Sequence, residues 1–151
     1  MKRLICTIVI AYLTTTAAFA QATPAGLWKT FDGAGAPLTL VRILGPDEEG
    51  QYKGKIEKVL AGAEVYRPTC WKCQGYEQDR PVLGMTVLFQ LTKGDEDSRY
   101  VDGIRLDPRT GSKRKCQVNL INGGRTMKVR TSPVTVDTWS VLINLRSPHE
   151  T

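Results

Sequence analysis

The chain carries a single histidine, His149, close to its C-terminus. That scarcity removes most nucleophilic centres of the Ser-His-Asp or Cys-His kind, because only His149 is there to act as general base. It also weakens zinc: Cys70-Trp71-Lys72-Cys73 has no second C-x-x-C or histidine pair to complete four ligands. No segment has a sustained helical period, so βαβ folds and helical bundles are excluded. A thioredoxin-like role for the C-x-x-C therefore lacks its βαβ context. Paired carboxylates such as Asp95, Glu96 and Asp97 sit on a turn with no apparent pocket, where solvation accounts for them better than acid–base chemistry. After residue 21 no apolar run approaches the ~20 residues of a membrane-spanning helix. The sequence predicts a protein that is not an enzyme, with no metal and no cofactor.

What is present is ordinary globular composition, 41% hydrophobic and 24% charged. Lys2 and Arg3 precede an apolar run from Leu4 to Leu13, and Ala18-Phe19-Ala20 offers small residues for cleavage before Gln21. Residues 1–20 read as a signal peptide, and residues 21–151 as one exported, periplasmic or secreted domain. Gln21 rather than cysteine follows the cut, which argues against a lipid anchor. Without Lys2 and Arg3 there remain 19 basic and 15 acidic residues, +4, too diffuse for a nucleic-acid surface.

The mature chain alternates short apolar runs with turn chemistry. The runs are Gly26–Phe31, Leu38–Leu44, Gln51–Leu60, Gly84–Leu91, Arg99–Leu106, Lys113–Ile121, Arg125–Thr131 and Asp137–Leu145. Between them lie Gly-, Pro- and Asp-rich breaks suited to tight reversals. Eight strands with mostly short connections predict an all-β, antiparallel, up-and-down barrel, which hides its edges by closing. A two-sheet sandwich is the alternative. One connection, residues 61–83 between strands 3 and 4, is too long for a turn and has room for a short helix around Tyr76–Arg80.

Three cysteines survive cleavage. In an oxidising compartment Cys70 and Cys73 would close a small disulfide that ties down the long loop, leaving Cys116 as a buried free thiol on the apolar face of its strand. A bridge from either of them to Cys116 is the rival pairing.

Strict alternation puts Tyr52, Gly54 and Ile56 on one face, and Cys116, Val118 and Leu120 on another. It likewise groups Leu38, Leu40, Arg42 and Leu44, and Tyr100, Asp102, Ile104 and Leu106. Arg42 and Asp102 would then point inward, paired or bound to a polar ligand; a bulge at Gly54 or Gly103 would flip the register. Trp28, Arg42, Tyr52, Tyr100, Asp102 and Trp139 are the expected lining of a site for a small apolar or amphipathic molecule. Asp107-Pro108-x-x-Gly111, followed by Ser112-Lys113-Arg114-Lys115, reads as a turn at a solvated strand end, with an anion-binding turn as the sharper alternative. Trp71 and Tyr76 make the long loop a second candidate surface, for another envelope protein.

Gly26-Leu27-Trp28 resembles the Gly-x-Trp signature of lipocalin-like barrels, whose indole closes one barrel end beneath a basic side chain, here Arg130 or Arg146. Several other segments follow in order: Tyr52-x-Gly54-Lys55-Ile56, Cys70-x-x-Cys73, Asp79-Arg80-Pro81-Val82-Leu83-Gly84, Asp102-Gly103-Ile104-x-Leu106-Asp107-Pro108-x-x-Gly111, Lys115-Cys116, Met127-Lys128-Val129-Arg130 and Thr138-Trp139. Together, from Ala25 to Val141, they resemble the secreted bacterial family called domain of unknown function 2147. The resemblance implies a signal peptide, an extracytoplasmic location and a small lipocalin-like barrel, and it implies no activity. Thr131-Ser132-Pro133-Val134 replaces the family's Gly- and aromatic-rich stretch. Ser140-Val141 stands where a basic residue is usual, which argues against a cation closing over Trp139.

Overall fold

The structure, a computed structural model, describes residues 21–62, 64–132 and 135–144; in the last stretch Trp139 is the side chain described. The expected signal peptide, Arg146 and His149 lie outside the described residues. Eight strands run in chain order: β1 (Gly26–Phe31), β2 (Pro37–Leu44), β3 (Gln51–Val59), β4 (Thr86–Lys93), β5 (Arg99–Asp107), β6 (Ser112–Ile121), β7 (Thr126–Thr131) and β8 (Thr135–Asn144). Each pairs antiparallel with the next, and β8 pairs back onto β1, so the ladder closes on itself. No helix among the described residues is long and apolar enough to cross a membrane.

Aspartates organise the reversals. Asp32 accepts the backbone N–H groups of Ala34 and Ala36 at 2.9 and 2.8 Å, and Asp47 accepts those of Glu49 and Gln51 at 3.1 and 2.8 Å. Asp107 does the same for Arg109 at 2.9 Å. Each carboxylate stands in for a missing ladder partner, which is why these positions stop one strand and start another. The long connection forms only one 3₁₀ turn, Gly75–Glu77, in place of the short helix expected near it.

Two strands depart from strict alternation. In β2 both Leu38 and Thr39 are buried, after which Val41 and Ile43 point inward and Leu40, Arg42 and Leu44 outward. Leu38 is the extra residue: the pairing with β1 shifts at Thr30/Phe31, and this bulge in β2 reverses the expected face. Arg42 therefore does not line the interior. It grips Glu57 of β3 through two bonds of 2.7 and 3.1 Å on the half-exposed outer wall. Outside, the guanidinium finds a diagonal carboxylate without the cost of burial.

In β5 the bulge falls at Asp102, whose φ of 57° is left-handed, and the register with β6 shifts between Tyr100 and Gly103. Asp102 is consequently exposed, and Gly103 and Arg105 take the inner face. Leu106, expected inside, is instead buried against Cys73 and Glu77 of the long loop. The β3 and β6 faces follow the expected alternation, with Tyr52, Gly54 and Ile56, and Cys116, Val118 and Leu120, all buried.

Between its ends the interior is tightly filled at two glycines. A Cβ on Gly54 would lie 3.1 Å from both Leu88 and Val41, and one on Gly103 would lie 2.9 Å from Leu91. Neither place has room for a methyl group, let alone a ligand.

Candidate functional site

The two ends of the barrel differ in chemistry. At one end the segment before β1 folds across the opening. The Trp28 indole donates to the Pro24 carbonyl at 2.8 Å, and the Tyr100 hydroxyl donates to that of Ala22 at 3.3 Å. Tyr52 meets Tyr100 edge-on, with centroids 5.5 Å apart. Burial pushes the Tyr100 phenol up to about 12, with the neighbouring Tyr52 adding to the shift, and raises Tyr52 as well. Three of the expected lining residues thus come together, but as a plug. No cation from β7 reaches Trp28, since Arg130 is exposed on the outer face.

The opposite end is polar on the inside. Thr30 and Thr39 share a 2.7 Å hydroxyl–hydroxyl bond, and Thr131 of β7 is also buried, opposite Cys116 on β6. Burial pushes the Cys116 thiol up to about 11, so it stays protonated and unreactive. Trp139 of β8 sits between Thr30 and Met127 and is only 1% exposed, yet its indole N–H has no acceptor among the described residues. The Arg105 guanidinium stands 5.8 Å from that ring's centroid. A cation does therefore approach Trp139, contrary to the expectation from its own strand; it comes from β5, because the bulge turns Arg105 inward.

Above Arg105 the rim is charged. Arg109 clasps Asp107 through Nε and Nη2, both 3.0 Å from a carboxylate oxygen. Burial works to raise the Asp107 carboxyl, but the bonds from Arg109 outweigh it and hold the group below its ordinary range. Burial lowers Arg105, an effect that Asp107 partly offsets. Tyr66, buried in the long loop, lies 6.0 Å from Arg109. Arg105, Asp107, Arg109, Arg114 and Thr131 are among the walls of an open cavity of about 250 Å³. Among the described residues this lining holds three guanidiniums and one carboxylate.

The long loop docks beside this mouth. Cys70 and Cys73 are disulfide-bonded, as the leading pairing anticipates, and the Cys70 sulfur touches the Pro108 carbonyl at 3.4 Å. Glu77 accepts from Lys113 of β6 at 2.9 Å. Trp71, Tyr76 and Leu83 stay exposed, Tyr76 by 73%, and Arg80 lies 3.7 Å over the Tyr76 ring.

Reading by alternation missed Arg105, Thr131 and Tyr66. The signal for Arg105 was the Asp107–Gly111 turn with its basic flank, whose sharper reading places cations beside this same rim.

Residues 26–138 match a family described as "Uncharacterized protein conserved in bacteria (DUF2147)". No curated protein matches. Among solved structures, protein HP1028 from Helicobacter pylori, described as belonging to the lipocalin family, superposes with a TM-score of 0.66 at 15% identity. The match covers 80% of this chain and 84% of that one, a likeness of fold.

Proposed function

We propose, from the premise that this chain belongs to the bacterial DUF2147 family, that it is an exported, non-enzymatic lipocalin-like (calycin-type) barrel that binds a small, partly apolar molecule. The observation that carries this reading is the contrast between the ends. One is plugged by Trp28, Tyr52, Tyr100 and the leading segment, whereas the other presents an open cavity walled in part by Arg105, the side chain that lies against the buried Trp139 ring. The Trp139 indole N–H has no acceptor among the described residues, although buried donors in native proteins are nearly always paired. Export is supported by the Cys70–Cys73 disulfide together with the N-terminal sequence.

Of the expected lining, Trp139 lies against Arg105, which walls the cavity together with Thr131. Native mass spectrometry of the protein purified from its own envelope tests the reading. A reproducible adduct of a few hundred daltons or less, lost on denaturation, is expected. A bare polypeptide mass, with no small molecule recovered by extraction, sinks it.

A second reading has its own observation. Trp71, Tyr76 and Leu83 are exposed on a loop pinned by a disulfide, beside a cavity of about 330 Å³ walled by Lys55, Arg80 and Phe89. Such a rigid apolar patch suits docking on another envelope protein. Cross-linking in cells should lose its partner band when Trp71 and Tyr76 are both changed to serine; an unchanged band removes this reading.

A further inference from the structure

We propose that the disulfide-tied loop docks on the surface of a bilayer rich in anionic phospholipid, independently of any guest in the barrel cavity. Trp71, Tyr76 and Leu83 would lie at headgroup depth, with Arg67, Lys72 and Arg80 against the phosphates. The chain would rest on the membrane and cross nothing.

The loop has a defined outer face. Thr69 bridges Pro81 antiparallel, and the backbone N–H groups of Cys70 and Val82 donate to the carbonyls of Arg80 and Pro68, both at 2.9 Å. Residues 67–71 and 79–83 are thereby paired as a short ribbon, and side chains alternate across it. Cys70 and Val82 are buried, so Arg67, Thr69 and Trp71 share the outer face with Asp79, Pro81 and Leu83. Leu44 aside, the exposed large hydrophobic residues among those described are Trp71, Tyr76 and Leu83, with Trp71 and Leu83 exposed by 51% and 62%.

This face is held outward. The Cys70–Cys73 disulfide and the Glu77–Lys113 ion pair fasten the loop, and at Gly111 a Cβ would run into the Lys72 carbonyl. The apolar groups therefore cannot fold back onto the barrel, and docking has little more chain to order.

Charge selects the partner. Arg67 and Lys72 stand 5.1 and 5.0 Å from the centroid of the Trp71 ring, and Arg80 stands 3.7 Å from that of Tyr76. Lys113 lies 5.5 Å from the Phe89 ring, in the adjoining groove that Lys55 also walls. Against these cations the surface sets Glu77 and Asp79, and Glu77 is already taken by Lys113. Arg67, Lys72, Arg80 and Lys55 have no carboxylate partner among the described residues. Lysine is depleted in protein–protein interfaces, whereas at a bilayer its ammonium stays in headgroup water beside a phosphate. Trp and Tyr suit the same depth, each with an apolar body and a polar tip.

Vesicles of phosphatidylcholine alone, and of phosphatidylcholine mixed equally with phosphatidylglycerol, are the probes, and co-sedimentation of the exported protein measures binding. The anionic vesicles are expected to bind about tenfold or more tightly, and added salt should erase that margin. Trp28 and Trp139 are buried, so Trp71 reports the contact. Its emission should move to the blue, and quenching by acrylamide should fall. Trp71→Ser with Tyr76→Ser should weaken binding to the anionic vesicles about tenfold or more. Arg67→Gln with Lys72→Gln should remove most of the preference for anionic lipid. Where a variant fails to fold, acrylamide quenching of the unaltered protein decides.

No sedimentation with the anionic vesicles overturns the proposal. Equal binding to both kinds of vesicle overturns the charge assignment, and a Trp71 as open to acrylamide on the vesicle as in solution overturns the placement of the loop. A cross-linked protein band in cells that needs Trp71 and Tyr76, without vesicle binding, assigns this surface to an envelope protein instead.

Discussion

Gly103 on β5 faces Cys116 on β6 so closely that a Cβ built on it would stand 2.8 Å from the cysteine sulfur. The two residues close the interior between them, one by having no side chain and the other by filling the space with a protonated thiol. Gly103→Ala should therefore destabilise the fold by about 1–3 kcal/mol through overpacking. Cys116→Ala opens room on one side, so the double variant should be less destabilised than the sum of the two. Leu91, 2.9 Å from the same position, keeps the rescue partial. Urea midpoints at constant m-value measure all three, and a neutral Gly103→Ala would contradict a filled layer.

Asp102 makes the bulge that places this pair, with an exposed side chain and φ of 57°. Aspartate tolerates the left-handed region, glycine does so at no steric cost, and a β-branched residue does not. Asp102→Gly is expected to stay within about 0.5 kcal/mol of the parent. Asp102→Val should cost about 1–2 kcal/mol despite its strand-favouring side chain. Thermal unfolding separates them, and a valine variant as stable as the parent would mean that the strand runs straight.

These two residues also mark where the sequence stopped being legible. The order of strands was written in alternation and in Asp- and Gly-led turns, both local signals. The disulfide followed from cysteine spacing and compartment. The faces of β3 and β6 came out correctly because the period of two is unbroken from Tyr52 to Ile56 and from Cys116 to Leu120. β2 and β5 did not, because a bulge costs only one residue and its position depends on which side chains the neighbouring strands will accept. The bulge at Leu38 turned Arg42 out to Glu57 on the outer wall, and the one at Asp102 brought Arg105 inside. Hence alternation led to Trp139 at this end of the barrel but not to Arg105 beside it. The plug at the other end was hidden for a different reason: nothing in Ala22–Ala25 signals that its carbonyls will meet Trp28 and Tyr100.

That plug predicts an alkaline limit to stability. The Tyr100 phenol is raised to about 12 and Tyr52 is raised with it, against an ordinary value near 10. A group whose folded value lies above its unfolded value contributes stability that is complete below about pH 10 and is lost as the pH climbs towards 12. Denaturant midpoints should begin to fall above about pH 9, where the Cys116 thiol, raised from 9.0 to about 11, starts to ionise in the unfolded chain, and fall further above about pH 10 as the phenols follow. Tyr100→Phe, which cannot ionise, should flatten that fall at the expense of the bond to Ala22. Ultraviolet titration of the folded protein should find three phenols, those of Tyr52, Tyr66 and Tyr100, ionising late, and uniform ionisation near 10 would rule the packing out.

The long loop gives the opposite limit. Glu77 is held below the ordinary carboxylate range, chiefly by its bond from Lys113, and that bond joins the 3₁₀ turn to β6. A depressed carboxylate contributes stability that is present above its unfolded value, near 4.3, and lost as the pH falls through the lower folded value. Backbone amides around Gly75–Arg80 should therefore exchange faster with solvent below about pH 4, while those of β6 and β7 remain protected. Asp107 is depressed too, so a general acid response of the rim has to be separated from that of the loop. Glu77→Gln should speed exchange in the loop at neutral pH and remove its acid dependence, whereas Asp107→Asn should leave that dependence in place. The disulfide acts independently of pH. Replacing Cys70 and Cys73 by serine should cost about 2 kcal/mol, as expected for so short a ring, without altering the acid midpoint of the loop. If Glu77→Gln leaves the acid response of these amides unchanged, Lys113 is not what fastens the loop to the barrel.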